Sequence, residues 1–286
     1  MGFVRSTAVL LALLCCADLA HANPFYFGRF NGLHSGPLDD SATATYWNPA
    51  NLADEKTKLH LHLLFISRRA SFDRFANEND VPPEFEAINA GLSESERPGK
   101  VPALAFSWGT HWRSDWSLGG GTGFFVDRAG VSNWESATDA PAQYPGAVDG
   151  TQRWTGISTA MLIISPNLGF GIAYRPWKLR VGASLIYNRA VLSTTMARNV
   201  DSTDQVLDAR GNLSEGRILL EHAKDDAFAA VLGWGLDLTD DLTLAMAWHT
   251  AVDYTLDGTV YATFGTAEEV VEPASIGLAV PHTVRT

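Results

Sequence analysis

The chain has little of three things: cysteine, long hydrophobic runs and positive charge. Its two cysteines, Cys15 and Cys16, both lie in the first 22 residues. That segment reads as a secretory signal peptide. Arg5 supplies the positive start, Ala8 to Ala17 is apolar, and Ala20-His21-Ala22 is a small-x-small cleavage site. Lipidation of Cys15 or Cys16 is the alternative reading, with Leu14 an unfavourable residue before the first. A chain exported to an oxidising compartment without thiols takes no stability from disulfides. The apolar run of the signal is shorter than the roughly 20 residues a membrane helix needs, and no later run reaches that length. Lys and Arg number 21 against 32 Asp and Glu, a net charge of −11. That balance argues against nucleic acid as a partner. No Gly-x-Ser-x-Gly, phosphate loop or dinucleotide fingerprint is present, so neither an enzyme nor a cofactor is expected.

What the chain does have is a period of two. In Leu242 to Leu256, residues Leu242, Leu244, Met246, Trp248, Val252, Tyr254 and Leu256 share one parity, and Thr250 is the one polar break. Such alternation predicts strands with one apolar face. Repeated along an exported chain, it predicts an all-β fold: an antiparallel transmembrane β-barrel of the bacterial outer membrane, in contact with its lipid. A mean hydropathy of −0.03 fits, because only every second residue would meet lipid.

Seven strands are expected, at Lys58–Ser67, Pro102–Gly109, Trp116–Asp127, Asn167–Tyr174, Leu179–Asn188, Ala227–Asp237 and Leu242–Leu256. An eighth begins in Val280–Thr286. Short links (Thr110–Asp115, Arg175–Lys178, Leu238–Asp241) alternate with long ones. Short turns belong to the periplasmic side and long loops outside. Trp108, Trp112, Trp116 and Trp177 cluster by two short turns, where an interfacial aromatic girdle would sit. The division expected is a signal at 1–22, an irregular segment at 23–54 and barrel wall at 55–286.

The irregular segment carries a family likeness. Gly32-Leu33-His34-Ser35-Gly36-Pro37-Leu38-Asp39-Asp40-Ser41-Ala42-Thr43-Ala44-Thr45-Tyr46-Trp47-Asn48-Pro49-Ala50-Asn51-Leu52-Ala53 resembles the plug of the FadL/TodX outer-membrane transporters. The resemblance implies a barrel of about fourteen strands, of which about half are present here, plugged from within. It implies passive uptake of long-chain fatty acids or other hydrophobic molecules, with no cofactor, by a protein that is monomeric when full length. Asn48, Pro49 and Ala50 would belong to the plug. In the family the ligand leaves through a gap linked to a kink in the third strand, and Gly119, Gly120, Gly121 and Gly123 are the candidates for that opening. Small residues making room for the plug are the other explanation of these glycines. Because the wall falls short of closure and ends without a terminal aromatic, the sequence reads as a C-terminally truncated chain. A barrel that anchors or assembles without transporting anything is the alternative function.

Phe72, Phe75, Phe85, Ile88 and Leu92 are the candidates for ligand capture, with Pro83 to Leu92 readable as a short amphipathic helix. Ala160 to Ile164 is a second apolar patch, for the same groove or for the barrel rim. His60 and His62 share a face on the first strand but have no further ligand at metal spacing, so no metal is expected. Asp237, Asp240 and Asp241 read as turn formers.

Overall fold

A computed structural model describes residues 36–54, 56–75, 88–134, 142–199, 204–264, 270–280 and 283–285. The signal peptide, the first part of the irregular segment and Phe85 lie outside the described residues. Most of the described residues form one antiparallel sheet of twelve strands. They run β1 (Lys58–Arg74), β2 (Gly91–Arg113), β3 (Trp116–Phe124), β4 (Val126–Asn133), β5 (Ser158–Ile164) and β6 (Asn167–Tyr174). There follow β7 (Leu179–Asn199), β8 (Glu215–Asp237), β9 (Thr243–His249), β10 (Val252–Phe264), β11 (Val270–Val280) and β12 (Thr283–Arg285). The main path is β1-β2-β3-β6-β7-β8-β10-β11. β4 and β5 pair with each other, and β12 pairs with β9. The twelve strands thus make eight crossings of the wall. Four pairs (β3 with β4, β5 with β6, β9 with β10, β11 with β12) are each one crossing interrupted partway.

The crossings match the expected strands, but their lengths do not. β1 and β2 continue through Arg68–Arg74 and Gly91–Val101, and β7 and β8 through Arg189–Asn199 and Glu215–Asp226. The apolar patch at Ala160–Ile164 is part of β5, and the link expected at Asp257–Ala279 is largely β10 and β11. These extensions have no apolar alternation, so a period-of-two reading passes over them. They are held by ladder bonds and polar pairs, such as Arg69 Nη2 to Glu96 Oε2 at 3.0 Å.

Outward rows are apolar across strands. Leu59, Phe106, Thr122, Leu168 and Leu185 are register partners in sequence, as are Trp108, Gly120, Phe170, Ala183, Leu232 and Trp248. Leu61 on this face is 78% exposed. An apolar face bare to the surroundings over many strands is the outer surface of a membrane barrel, not of a soluble sandwich. At the end with the short turns, Trp116 packs at a tilt on Tyr174 (4.6 Å between rings) and Tyr174 meets Trp177 edge-on (5.3 Å). Trp108, Trp112 and Trp177 are exposed there.

The sheet curls. Tyr46 has its ring centroid 5.1 Å from Phe125 and 5.5 Å from His249. Those partners lie four crossings apart, roughly 19 Å on a flat sheet. Meeting one side chain from both directions requires the wall to wrap around it.

One strand expectation needs correction. Leu242 to Leu256 is not one strand with one apolar face. β9 ends at His249, and Thr250 sits opposite Ala230, with Thr250 N donating to the Ala230 carbonyl at 3.0 Å and Ala230 N to Thr250 Oγ1 at 3.0 Å. The chain re-enters the sheet at Val252 with its faces exchanged. Leu244 and Trp248 point out, whereas Val252, Tyr254 and Leu256 are buried inside. A shift of one residue in a strand sends every later side chain to the other face.

Candidate functional site

The interior is built from the bottom by the irregular segment. Asp39 organises its start, with Oδ1 accepting from Ser41 N at 2.9 Å and Oδ2 from Thr43 Oγ1. One turn of helix, α1 (Ala44–Trp47), follows, then a 3-10 turn at Pro49–Ala53. Asn48 joins them. Its Oδ1 accepts from Ala50 N at 3.1 Å, capping the 3-10 turn, while Pro49 at the first position has no N–H and needs no acceptor. Asn48 Nδ2 donates to the carbonyls of Pro37 (2.8 Å) and of Trp234 in β8 (3.1 Å). Asn51 Nδ2 closes the other side onto Pro37 and Asp39. Asn48, Pro49 and Ala50 are fully buried, inside the curl of the sheet.

The wall accommodates this turn with a belt of minimal side chains. Gly109, Gly119, Gly171, Gly182, Gly233 and Ala247 are successive register partners over six crossings. A Cβ at Gly119 would stand 1.7 Å from the Leu52 carbonyl oxygen, one at Gly182 2.4 Å from Ala50 N, and one at Gly233 1.9 Å from Asn48 Oδ1. The belt lies three or four residues above the short turns, so this turn sits low inside the curled sheet.

Of the glycines singled out in the sequence, Gly119 and Gly121 face the plug, with Thr45 Cγ2 2.6 Å from a Cβ at Gly121. Gly120 lies under the Trp108 ring on the outer side, and Gly123 against Phe125. All four sit in regular ladders, to β2 on one side and to β6 on the other. The interruption falls just beyond them. β3 stops at Phe124, Phe125 belongs to neither strand, and β4 from Val126 pairs with β5. Above Leu104, β2 has no ladder partner on that side among the described residues. Ser95 Oγ donating to the Asn133 carbonyl at 2.9 Å spans this seam high up.

Above this turn the interior holds one large apolar cluster beside buried polar groups such as Ser165 and Asn188. Phe125, Ile163, Ile186, Val231, Tyr254 and Leu256 belong to one buried cluster with Tyr46 and Trp47. The inversion at Thr250 brings Val252, Tyr254 and Leu256 into it. The sequence signal for this was the polar break at Thr250.

The far end is capped by loops, and Arg153 holds them. Its side chain is 0% exposed, and all five N–H donors are used. Nε and Nη2 bind Glu215 Oε1 (2.7 Å) and Oε2 (3.0 Å). Nη1 binds the Ile88 and Gly150 carbonyls, and Nη2 also binds Asn89 Oδ1 at 3.1 Å. Asn89 Oδ1 also accepts from Trp154 Nε1 at 2.6 Å. Sequence reasoning missed this centre, because its members lie more than 60 residues apart in part and no spacing links them.

The capture residues are dispersed. Phe72 is half-buried on β1 opposite buried Ser93, whereas Leu92 is exposed on the opposite face of β2. Leu92 is strand, not the end of a helix. Ile88 packs into the loop cap with Trp154 and Val206, and Phe75 is exposed just past β1. His60 and His62 share the inner face with rings 6.0 Å apart. Among the described residues no three His, Cys, Asp or Glu are grouped to hold a metal.

No protein-family profile matches the sequence, and no curated protein matches it. Solved structures do match in shape. The Pseudomonas putida toluene transporter TodX aligns with TM-score 0.57 at 17% identity, covering 85% of this chain and 61% of that one. A Pseudomonas aeruginosa FadL homologue aligns with TM-score 0.58 at 14% identity, covering 88% and 62%. The CymD monoaromatic hydrocarbon channel aligns with TM-score 0.53 at 16% identity, covering 89% and 64%. The chain spans about three fifths of the length of these proteins. Curled antiparallel wall, buried internal turn and structural likeness together show that this chain has the fold of the FadL-type β-barrels.

Proposed function

We propose that the chain belongs to an outer-membrane passage for hydrophobic small molecules, long-chain fatty acids among them, driven by the ligand's own gradient. The observation that carries the reading is the buried apolar cluster directly above a plug held in a belt of glycines. An apolar interior binds an apolar ligand without any energy source. The seam between β2 and β4 at Phe125 supports a sideways exit: Phe125 packs on Tyr46 of the plug, so movement of the plug and opening of the seam would be coupled. The apolar outer rows and the aromatic rim support contact with outer-membrane lipid. A monomer when full length fits an interior enclosed by one wall.

The test is a reversible lock. Cysteines at Asn48 and Gly233, whose atoms meet across the plug–wall contact, would tie the plug down when oxidised. Uptake of a labelled fatty acid and of toluene by cells carrying the full-length protein should fall on oxidation and return on reduction. Uptake that ignores the lock for both compounds would remove the transport reading.

A further inference from the structure

Two polar side chains in the apolar interior have nothing to bind. Asn167, at the start of β6, is 5% exposed, and neither Nδ2 nor Oδ1 makes a hydrogen bond among the described residues. Ser184 of β7 is also 5% exposed, and its Oγ is likewise unpartnered. They are neighbours. Asn167 pairs with Ile186 and Gly169 with Ser184, which sets the two polar groups diagonally on the inner face, about 7 Å apart at their Cβ atoms. Gly169 lies between them, and the place of its missing Cβ is closed by Ser184 Oγ at 2.5 Å and, from the irregular segment, by Leu52 Cδ1 at 3.0 Å and Thr45 Cα at 3.3 Å, so the two groups come free when that segment shifts. Leu52 and Thr45 border the spot from the irregular segment, Ile186 from β7, and Phe125 lies against Gly123, the β3 partner of Asn167.

Buried polar groups are almost always hydrogen-bonded, and leaving one unmade is a standing cost. The neighbouring polar groups do not relieve it. Ser165 Oγ donates to Asn188 Oδ1 at 2.7 Å, and Thr45 Oγ1 to the Ala42 carbonyl at 3.3 Å. An amide whose donor and acceptor are both free suits a group that can accept and donate at once.

We propose that Asn167 and Ser184 form a head-group subsite in the lumen for apolar molecules carrying one neutral hydroxyl group. The inference rests on the transport reading above and narrows its substrate class. Carboxylates are disfavoured by the same surroundings. In the register rows of these two residues the one Lys or Arg is Lys58, four crossings from Ser184 and already paired with Asp54. The other titratable groups on those rows are His60 and His249, three crossings from Asn167 and two from Ser184. A charge buried without a partner is far costlier than a neutral hydroxyl.

Three probes of one shape separate the possibilities: p-xylene, p-cresol and p-toluate. Binding to the purified full-length protein in lipid nanodiscs is measured by calorimetry against empty discs. Wild type should bind p-cresol more tightly than p-xylene, and p-toluate at least tenfold more weakly than p-cresol. Asn167→Leu should weaken p-cresol by about three- to tenfold, the worth of one hydrogen bond, and leave p-xylene within about twofold. Ser184→Ala, a small change that spares folding, should act in the same direction, and heat-modifiable gel mobility confirms the folded barrel of each variant. The subsite is refuted if p-cresol loses no more than p-xylene in both variants, or if p-toluate binds as well as p-cresol. Binding of neither neutral probe by wild type would also refute the subsite, whereas the transport reading is decided separately by the disulfide lock and falls only if uptake of both fatty acid and toluene ignores it.

Discussion

Arg153→Met removes the centre of the loop cap and leaves its partners in place. The Glu215 carboxylate, 5% exposed at its side chain, would lose both charge-assisted bonds, and the Ile88 carbonyl would lose its donor. Breaking a buried ion pair from one side costs roughly 3–5 kcal/mol, because the abandoned charge remains buried. At about 1.4 kcal/mol per factor of ten, the cap should open some hundred- to several thousand-fold more often. The assay is hydrogen exchange read by mass spectrometry on peptides covering 88–91, 145–154 and 204–215. Exchange in the β6–β7 ladder, far from the cap, should not change. The double replacement Arg153→Met with Glu215→Leu should recover most of the loss, since an apolar pair of similar volume leaves no stranded charge. The reasoning fails if Arg153→Met leaves cap exchange as in wild type, or if the double variant is as open as the two single effects combined.

Gly182→Val should dislodge the plug turn, because its Cβ would meet Ala50 N and the Pro49 carbonyl at 2.4–2.6 Å; overpacking of this kind costs about 1–3 kcal/mol, and protease should then cut within 36–54 while the wall stays intact. Asn48→Ala removes both the cap on Ala50 and the bond to the Trp234 carbonyl, so the plug should loosen by about 1–2 kcal/mol, read as faster exchange at 48–53. Deleting Thr250 should return Val252, Tyr254 and Leu256 to the outer face, and a cysteine at 254 should then become reactive to a lipid-soluble thiol probe, which it is not in wild type. Asp208, in the exposed hairpin, is held below the usual carboxylate range by the Asn212 backbone N–H, then by its side chain. Its contribution is therefore complete above the ordinary carboxylate pKa and is lost as pH falls through the lower folded value, so the protection of 207–213, taken as exchange relative to the intrinsic rate at each pH, should be flat from neutral to about pH 4 and fall below it.

The outer half of this protein was legible in one dimension. Lipid contact imposes alternation on each crossing by itself, so Leu59, Leu61 and Leu63, or Leu168 and Phe170, reveal their strands without knowledge of any partner. The short turns were readable for the same reason, each being a local arrangement of a few residues, and the segment at 23–54 was readable as irregular because it keeps no period of two; a plug role for Asn48, Pro49 and Ala50 came only from the family resemblance. What faces inward was not readable. Gly119, Gly171, Gly182 and Gly233 look like unrelated strand glycines until the register aligns them against the plug, and Phe125 looks like any aromatic until the ladder breaks there. Arg153 and Glu215 carry no local signal at all. The face of Val252, Tyr254 and Leu256 depended on whether the chain skipped a residue at Thr250, and that was decided by pairing with Ala230. Sequence alone determined where the chain crosses the membrane, because the solvent acts on every residue separately. Tertiary structure decided what the barrel encloses, because there the neighbours of each residue come from distant parts of the chain.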